Sequence, residues 1–333
     1  MRRVACIDIG TVTARLAVAD VERGSVLRLG KQSQICNLGE GVDATGRLSQ
    51  AAMERVFACA QAYVAAARES GAEAVCCTLT SAARDAENAS ELGAALDSLG
   101  LDPLVIPGQI EGALTFLGVA RDFRGRRILV ADNGGGSTEL AMGSLRADGV
   151  LDLQFVRSVD VGCRRVTEKF LPGSGPASAE GLAAAHEFAA AAFAPVVAEG
   201  GLRADAGEGA PEALVVCGGT VTSLVAMSLE LEPYDPLRVH LASLSAEKVA
   251  ELEARLAALT VEERAALPGL QAKRAPVMLG GTVAVGELMR QTGFSTLQAS
   301  ESDLLFGLAI TAEAALTGAD SPVIWKPTMR SLS

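Results

Sequence analysis

One pattern occurs twice in this chain and limits what the chain can fold into. The segments VACIDIGTVTARLAVADV (4–21) and ILVADNGGGSTELAMGSL (128–145) each run from an apolar stretch through Asp, any residue and Gly to hydroxyl residues and a second apolar stretch. Each copy predicts two strands joined by a tight glycine turn. The copies are about 125 residues apart, which favours two domains of related topology.

A third glycine and hydroxyl turn, CGGT (217–220), follows another apolar run. Glycine permits positive φ and lets backbone N–H groups face an anion without a Cβ in the way. Asp8 and Asp132, just before the first two turns, could hold Mg²⁺ while the amides hold phosphate oxygens. Ordinary hairpin turns are the alternative for each turn taken singly. Neither a Walker A motif nor G-x-G-x-x-G is present, so these turns predict a phosphate site of another kind.

Strands alternate with helical segments, which predicts an α/β fold. The stretch 49–70 has Ser49 as a possible N-cap and an apolar face at helical spacing, and 109–120, 178–198 and 245–259 are also predicted helices. The T-x-x-E sequence at Thr260 predicts a capping box.

Composition excludes several classes of function. The net charge is −11, which argues against nucleic-acid or acidic-membrane binding. No run of about 18 uncharged apolar residues predicts a membrane span, and the N-terminus does not read as a secretory signal. The seven cysteines fit no zinc spacing and read as buried thiols of a reducing cytosol, so we expect a cytoplasmic protein.

The motifs together resemble a known family. The paired turns resemble the actin, hexokinase and heat-shock-chaperone superfamily, in which two related domains clamp phosphates in a cleft. More narrowly, the chain resembles the exopolyphosphatase and guanosine pentaphosphate phosphohydrolase (Ppx/GppA) family. Eight segments in the family's order carry the resemblance: DIGTVTARL (8–16), NLGEGVDATGRLS (37–49), TSAARDAEN (80–88), PGQIEGALTFLGV (107–119), DNGGGSTEL (132–140), VGCRRVTEKF (161–170), CGGTVTSL (217–224) and LPGLQAKRAPVMLGG (267–281).

The resemblance implies two ribonuclease-H-like (actin-like ATPase) domains with an interdomain cleft. We predict a first domain of residues 1–125, a second of 126–301, and a C-terminal helix of about 302–317 that packs on the first. The expected ligands are polyphosphate or guanosine penta- and tetraphosphate, with Mg²⁺ as cofactor. A homodimer is expected by analogy with the family.

Residue roles also follow from the resemblance. Glu111 stands where the family has its catalytic carboxylate, and a carboxylate can orient and deprotonate the attacking water. Asp132 and Glu139 stand at acidic positions beside the metal, which Asp8 could share, although the strand alternation of Glu139 also suits a solvated residue. The residues predicted to bind phosphate are Gly10, Thr11, Arg84, Gly134, Gly135, Gly136, Ser137, Gly218, Gly219 and Thr220. For the other family arginines, Arg15, Arg165 and Arg274, salt bridges are favoured.

Some positions depart from the family pattern. Val12, Asn133, Ile110, Leu241 and Leu305 stand where the family usually has Asn, an apolar residue, Glu, Gly and Arg. These departures motivate an alternative function, a catalytically weak or inactive sensor that binds polyphosphate or (p)ppGpp. A kinase of the same superfamily is a third possibility. The main prediction is hydrolysis of a terminal phosphoanhydride, with Glu111 activating water and Mg²⁺ assisting.

Overall fold

The computed structural model describes residues 1–332. Within them the strands are β1 Arg2–Ile9, β2 Thr13–Glu22, β3 Ser25–Ile35, β4 Ala74–Leu79, β5 Pro103–Val105, β6 Arg127–Asn133, β7 Thr138–Leu145, β8 Leu151–Val159, β9 Leu214–Cys217, β10 Ser243–Ser245, β11 Thr296–Ser300 and β12 Arg330–Ser331. The α-helices are α1 Val42–Thr45, α2 Gln50–Glu69, α3 Ser81–Asp85, α4 Ala89–Asp97, α5 Gly108–Val119, α6 Cys163–Phe170, α7 Ala179–Gly200, α8 Gly219–Ser228, α9 Pro236–Val239, α10 Ala246–Ala257, α11 Val261–Ala265, α12 Ala275–Thr292 and α13 Leu304–Thr317.

The chain forms two compact units. Unit 1 contains Met1–Gly118 and the chain from Leu304 onward, and unit 2 contains Val119–Asp303. The C-terminal helix α13 is therefore part of unit 1, although the rest of unit 1 that precedes it ends at Gly118.

Each unit is built on one sheet, and the two sheets repeat the same core. In unit 1 the order β4-β1-β2-β3 joins an antiparallel meander to a parallel strand, and in unit 2 β9-β6-β7-β8 does the same. Strands β5 and β12 pair with β4, and β11 and β10 extend the second sheet beyond β9. The repeated sequence pattern is thus a repeated hairpin, β1-β2 and β6-β7.

Local signals explain where several helices begin. The Ser49 hydroxyl accepts a hydrogen bond from the Ala52 amide at the start of α2, as predicted, and Ser245 does the same for Lys248 in α10. Both hydrogen bonds of the predicted capping box at Thr260 are present: the Glu263 amide donates to the Thr260 hydroxyl, and the Thr260 amide donates to the Glu263 carboxylate. These caps fix the first turns, and apolar faces then bury each helix against its own sheet.

Helices α13 and α5 of unit 1 cross at very short distance. A Cβ added at Gly307 would clash with the backbone carbonyl of Leu114, so only glycine fits at this crossing. Phe116 and Leu114 are fully buried on α5, directly beside the N-terminal turn that carries Glu111. The crossing therefore fixes the helix on which the predicted catalytic carboxylate lies.

Helix α7 is long and apolar enough, by length and composition alone, to span a membrane. It is an alanine-rich helix interrupted by Pro195, and its stripe Ala185, Ala189, Phe193 and Val197 is buried in the core of unit 2. A core helix of this kind passes the same length and composition test, so the finding is weak support for a membrane span.

Candidate functional site

The first glycine turn joins β1 to β2 in unit 1. The Gly10 amide donates to the Thr13 carbonyl at 2.9 Å, which closes the turn. Asp8 lies opposite Arg15 in the register of the two strands, and Arg15 Nε and Nη2 donate to Asp8 Oδ2 at 3.1 and 2.7 Å. The favoured salt bridge of Arg15 is thus present.

Asp8 is almost fully buried and has a second partner from the neighbouring strand β4. Thr78 Oγ1 donates to Asp8 Oδ1 at 3.2 Å, so both carboxylate oxygens accept hydrogen bonds within unit 1. This arrangement assigns Asp8 a structural role in joining β1, β2 and β4. Its predicted share in a metal site stays a prediction.

The second glycine turn has the same closure in unit 2. The Gly134 amide donates to the Ser137 carbonyl at 3.0 Å, and the aspartate two residues earlier, Asp132, lies opposite Glu139 in the strand register. Where unit 1 has an Asp and Arg pair, unit 2 therefore has two carboxylates. Opposed residues of an antiparallel pair project from the same face, with Cβ atoms ~5 Å apart.

Glu139 is 2% exposed, so the solvated interpretation of this residue is wrong. Its Oε1 accepts hydrogen bonds from Ser137 Oγ and Ser158 Oγ, both at 2.7 Å. Ser158 lies opposite Glu139 on β8. The two hydroxyls hold the carboxylate on the face that it shares with Asp132.

The carbonyl groups of the Gly134–Gly136 loop are all bound by the segment that begins helix α6. The three contacts are Cys163 N to Gly134 O at 2.9 Å, Arg164 N to Gly135 O at 2.8 Å, and Arg165 Nε to Gly136 O at 2.7 Å. Gly162 is essential to this packing, because a Cβ there would lie 2.5 Å from the Gly135 carbonyl group. Arg165 therefore supports the loop through a backbone carbonyl.

The direction of these carbonyls fixes the direction of the loop amides. A trans peptide is planar, and the N–H that follows a carbonyl points the opposite way. The N–H groups of Gly135, Gly136 and Ser137 consequently point away from α6. Successive amides of this kind form a concave donor surface suited to an anion.

The third glycine turn lies beside the second. Strands β6 and β9 are parallel neighbours with Asp132 opposite Cys217, so both turns leave the same edge of the sheet. Gly218 has φ 103°, and a Cβ there would lie 2.5 Å from the Asn133 carbonyl oxygen and 3.3 Å from Asp132 Oδ1. Helix α8 begins at the next residue, Gly219, where its dipole favours a negative charge.

Two further residues complete this turn. The guanidinium of Arg274 lies against the α-carbon of Gly219, in space that any side chain there would occupy. Thr220 is 2% exposed and lies directly under Gly281 of α12, which makes it a packing residue between helices. Its phosphate contact and that of Gly219 stay predictions.

Glu111 lies in the first turn of α5 in unit 1 and is 7% exposed. Arg84, from helix α3, donates Nη1 to Glu111 Oε2 at 2.6 Å and to the Ile106 carbonyl at 3.1 Å. The predicted phosphate-binding arginine and the predicted catalytic carboxylate thus form an ion pair. Gly10 is close to the start of helix α3, which carries Arg84, since a Cβ at Gly10 would be 3.8 Å from Thr80 Oγ1. Thr11 is buried and packs against Gly39.

Among residues 1–332, no group of three or more His, Cys, Asp or Glu side chains is arranged to hold a metal ion. Mg²⁺ does not need such a group, because it usually keeps several waters and binds one or two carboxylates together with phosphate oxygens. Asp132 and Glu139 supply oxygen ligands of the right chemistry on one buried face. The residues therefore fit the predicted ion, which itself stays a prediction.

Sequence reasoning missed several contributors. Thr78 and Ser158 act across strands far from Asp8 and Glu139 in sequence, and no local pattern marks them. Gly162 lies inside VGCRRVTEKF, a segment that carries the resemblance, yet its contact with the glycine loop is visible only in three dimensions.

Comparison with known proteins identifies relatives of this chain. A model described as the Ppx/GppA phosphatase family matches residues 17–308. Exopolyphosphatase 2 of Mycobacterium tuberculosis is 33% identical over 329 residues, with 93% of this chain and 98% of that protein covered. Guanosine-5'-triphosphate,3'-diphosphate pyrophosphatase of Photobacterium profundum is 32% identical over 195 residues, with 58% and 38% covered.

A solved structure has the same fold. The crystal structure of the Aquifex aeolicus member of the Ppx/GppA family is similar with a TM-score of 0.76 and 28% identity, covering 96% of this chain and 99% of that one. This similarity and the two repeated sheets confirm the predicted fold class, an α/β fold of the actin-like ATPase type.

Proposed function

This chain belongs to the Ppx/GppA phosphatase family, and from that premise we propose that it hydrolyses the terminal phosphoanhydride of inorganic polyphosphate and releases orthophosphate. The relative named exopolyphosphatase aligns over nearly its whole length, whereas the guanosine-type relative aligns over 38% of its own. That difference favours polyphosphate over pppGpp as the substrate. pppGpp is the second substrate to test.

The observation that carries the proposal is the amide surface of the second glycine turn. Three successive N–H groups, Gly135 to Ser137, point away from α6 because the carbonyls before them are bound to its first residues. Backbone donors held in this way bind phosphate oxygens without a side chain having to reorganise. This explains how a chain of net charge −11 can bind a polyanion.

The third turn adds donors at the same sheet edge. The N-terminus of α8 presents the amides of its first turn, and Gly218 brings that turn against residues 132–133. Free N–H groups and the helix dipole both favour a phosphate at such a position. We assign Gly218, Gly219 and Thr220 to a second phosphate oxygen contact in unit 2.

Asp132 and Glu139 are the residues that would hold Mg²⁺. When bound, the ion would neutralise charge on the phosphoryl oxygens that are being transferred. The chain's own part is to direct both carboxylates to one face, and the hydroxyls of Ser137 and Ser158 hold Glu139 in that direction. Gly134 and Gly135 leave room for phosphate to approach this face.

Glu111 would orient the attacking water and accept its proton. A carboxylate at a helix N-terminus is stabilised in the ionised form that a base requires. Arg84 donates to one oxygen of Glu111, Oε2, and so fixes the direction of the carboxylate. The proposed role of Arg84 is thus to position Glu111 and to contact a phosphate oxygen with the rest of its planar guanidinium.

Orthophosphate release tests the proposal directly. Purified protein with Mg²⁺ should release orthophosphate from medium-chain polyphosphate, with pppGpp and ATP measured in parallel. Glu111→Gln should reduce the rate at least ~100-fold, since it removes the base. The matched control is Glu91→Gln, because Glu91 is an exposed glutamate of unit 1 that pairs with Arg47.

Ligand binding separates the two functions under consideration. Calorimetry of Glu111→Gln with polyphosphate should show binding that is close to that of the unaltered protein, because the amide surface is unchanged. Binding by the unaltered protein with no orthophosphate released from any substrate would favour the sensor function instead. Equal rates for the unaltered protein and Glu111→Gln would remove Glu111 from the mechanism.

A further inference from the structure

Two buried polar side chains face each other where the second glycine loop leaves the sheet of unit 2. Asn133 is the last residue of β6 and Thr138 is the first of β7, and the two are partners in the antiparallel register. The loop Gly134–Ser137, which carries the amide surface described above, lies between them. Asn133 is 3% exposed and Thr138 is fully buried. Neither side chain has a part in the hydrolysis described above.

The side chain of Asn133 lies on the face of the sheet opposite to the two carboxylates. Side chains alternate along a strand, so Asn133 shares its face with Leu129 and Ala131, which belong to the core of unit 2. Asp132 and its partner Glu139 project from the other face. The Asn133 side chain therefore does not share a ligand with these carboxylates. Any effect that it has on a bound phosphate must pass through the backbone of the loop.

Asn133 and Thr138 form a chain of hydrogen bonds that ends on the segment packed against the loop. Asn133 Nδ2 donates to Thr138 Oγ1 at 3.0 Å, and Thr138 Oγ1 donates to the Val161 carbonyl at 2.5 Å. Because a hydroxyl has a single proton, which Thr138 gives to Val161, Asn133 must be the donor to Thr138. Val161 directly precedes Gly162, which packs against the Gly135 carbonyl group. The chain of hydrogen bonds therefore joins the base of the loop to the segment that supports it.

The other end of the Asn133 amide is unsatisfied. Its Oδ1 is buried and accepts no hydrogen bond from any group of residues 1–332. A buried acceptor of this kind costs stability, and an apolar side chain in its place avoids the cost. Asn88 of unit 1 is the contrasting case, because its Oδ1 accepts from the Leu48 amide at 2.8 Å and its Nδ2 donates to the Leu48 carbonyl at 3.1 Å. Stability therefore accounts for the asparagine at position 88 but not for the one at position 133.

We propose that Asn133 is a positioning residue, which orders the Gly134–Ser137 loop before a polyphosphate binds. Its hydrogen bond to Thr138 closes the base of the loop through side chains, in addition to the backbone bond that joins the two ends of the loop. A loop that is already ordered binds a ligand without the entropy cost of ordering it. The Asn133 carbonyl also lies where only glycine fits at Gly218, so the position of Asn133 limits where the third turn can lie.

The effect on turnover rests on the proposed function, because it requires the loop amides to bind substrate. The order of the loop in the free protein does not depend on that function. The two are therefore measured separately, the first by orthophosphate release and the second by hydrogen exchange of the loop amides without any ligand.

Asn133→Val tests the proposal, because valine suits a strand and has no hydrogen-bond donor. Asn133→Leu, which keeps the branching of asparagine, is the second variant should valine fold poorly. KM for medium-chain polyphosphate should rise about threefold to tenfold, the factor expected for one lost hydrogen bond. The value of kcat should stay nearly unchanged, since the loop is ordered once substrate is bound. Exchange of the loop amides should become faster in the free protein, while Tm stays equal or rises.

Two further variants separate positioning from packing. Thr138→Val removes the acceptor of the Asn133 amide and should raise KM by a similar factor. Its Tm should fall, however, because Asn133 Nδ2 and the Val161 carbonyl both lose a partner. Asn88→Val is the matched control, since it removes a buried asparagine whose two ends are both bonded. Its Tm should fall and the exchange of the Gly134–Ser137 amides should not change.

The outcomes are distinct. Loop exchange in Asn133→Val that equals that of the unaltered protein overturns the proposal, as does an unchanged KM in a protein that hydrolyses polyphosphate. A Tm that falls in both position-133 variants as far as in Asn88→Val also overturns it, because Asn133 would then be a packing residue. Faster loop exchange in Asn133→Val, in a protein that never releases orthophosphate from polyphosphate, would support the ordering of the loop and count against the proposed function alone.

Discussion

At the scale of single residues, one exchange distinguishes the two hairpins. Asp8 and Asp132 occupy equivalent positions, but Asp8 faces Arg15 whereas Asp132 faces Glu139. The first pair is neutral as a unit and joins strands of its own sheet. The second places two carboxyl groups on one face, and a divalent cation would stabilise both of them as carboxylates. The duplicated hairpin has thus kept its shape while its charge differs.

We predict from this difference that Glu139→Gln raises the Mg²⁺ concentration needed for half-maximal orthophosphate release by about tenfold, as expected from the loss of ~1.4 kcal/mol of binding.

Asp8→Asn is the contrasting variant. It breaks the ion pair with Arg15 and should lower the free energy of unfolding by about 2 kcal/mol, with little change in the Mg²⁺ requirement. A Mg²⁺ titration and a denaturant titration of each variant measure the two effects, and a raised Mg²⁺ requirement in Asp8→Asn would return Asp8 to the metal site.

A second residue-scale prediction concerns Arg84. Arg84→Met removes the charge-assisted hydrogen bond that holds Glu111 Oε2 and should lower kcat for orthophosphate release by about tenfold to a hundredfold, which corresponds to ~1.5–3 kcal/mol. Arg47→Met is the matched control, since Arg47 pairs with exposed glutamates of the same unit. Similar kcat values for the two variants would show that Arg84 does not position Glu111 for the proposed reaction.

At the scale of elements, sequence signals located the two hairpins and several helices, although not the long helix α12, Ala275–Thr292. The predicted helix at 49–70 is α2, Gln50–Glu69, and the predicted helix at 245–259 is α10, Ala246–Ala257. These segments carry caps and apolar faces that act over a few residues, so they are readable locally. The strands that carry Asp8 and Asp132 were also predicted from a local signal, namely apolar runs on both sides of a glycine turn.

Other elements could not be predicted in this way. Strand β3 has mostly exposed side chains, and its sequence shows no strong alternation. Strand β8 begins with the alternating residues LDLQF, but its side chains are only half-buried on one face, and it was not predicted as a strand. The site depends equally on distant contacts, such as Gly162 against Gly135 and Arg84 against Glu111. Such contacts are set by how elements pack, and a linear pattern contains no signal for them beyond the presence of a glycine or an arginine.

One prediction belongs to the packing of helices α7, α10 and α12. His186 of α7 contacts Glu253 of α10 through Nε2 at 2.8 Å, and its Nδ1 is 3.5 Å from Glu287 of α12. Arg290 of α12 also binds Glu287, and Glu187 is the neighbouring acid on α7. The hydrogen bond with Glu253 outweighs burial and raises the pKa of His186 above its ordinary 6.5.

A raised pKa in the folded state means that the protonated ring stabilises unit 2 fully below pH 6.5, and that this stabilisation is lost as pH rises through the folded value. His186→Gln should therefore destabilise the protein at pH 6, by less than about 1 kcal/mol because solvent screens a partly exposed ring. At pH 9 the difference should be smaller. Thermal unfolding of both proteins at the two pH values measures this, and a difference that grows with pH would contradict the assignment.

At the scale of the whole molecule, unit 1 is built from two segments that lie far apart in the sequence. Unit 1 contains residues 1–118 and the chain from Leu304 onward, so its core is complete only when α13 packs against β1 and, at Gly307, against α5. Unit 2 is continuous in sequence, from Val119 to Asp303. A substitution that disturbs α13 should therefore destabilise residues 1–118, and it should leave the stability of the residues that directly precede the helix unchanged.

Gly307→Ala tests this connection. The added methyl would clash with the Leu114 carbonyl where α13 crosses α5, and a backbone atom cannot rotate away, so the free energy of unfolding of unit 1 should fall by at least about 1–3 kcal/mol. Hydrogen exchange should become faster in β1, β2 and α5, while β6, β7 and α12 keep their protection. The matched control is Gly93→Ala on α4 of the same unit, where no atom lies within 4 Å of the added Cβ and alanine should be neutral or stabilising. Faster exchange confined to residues 119–303 would mean that α13 stabilises the other unit, and equal exchange in the two variants would mean that the crossing tolerates a side chain.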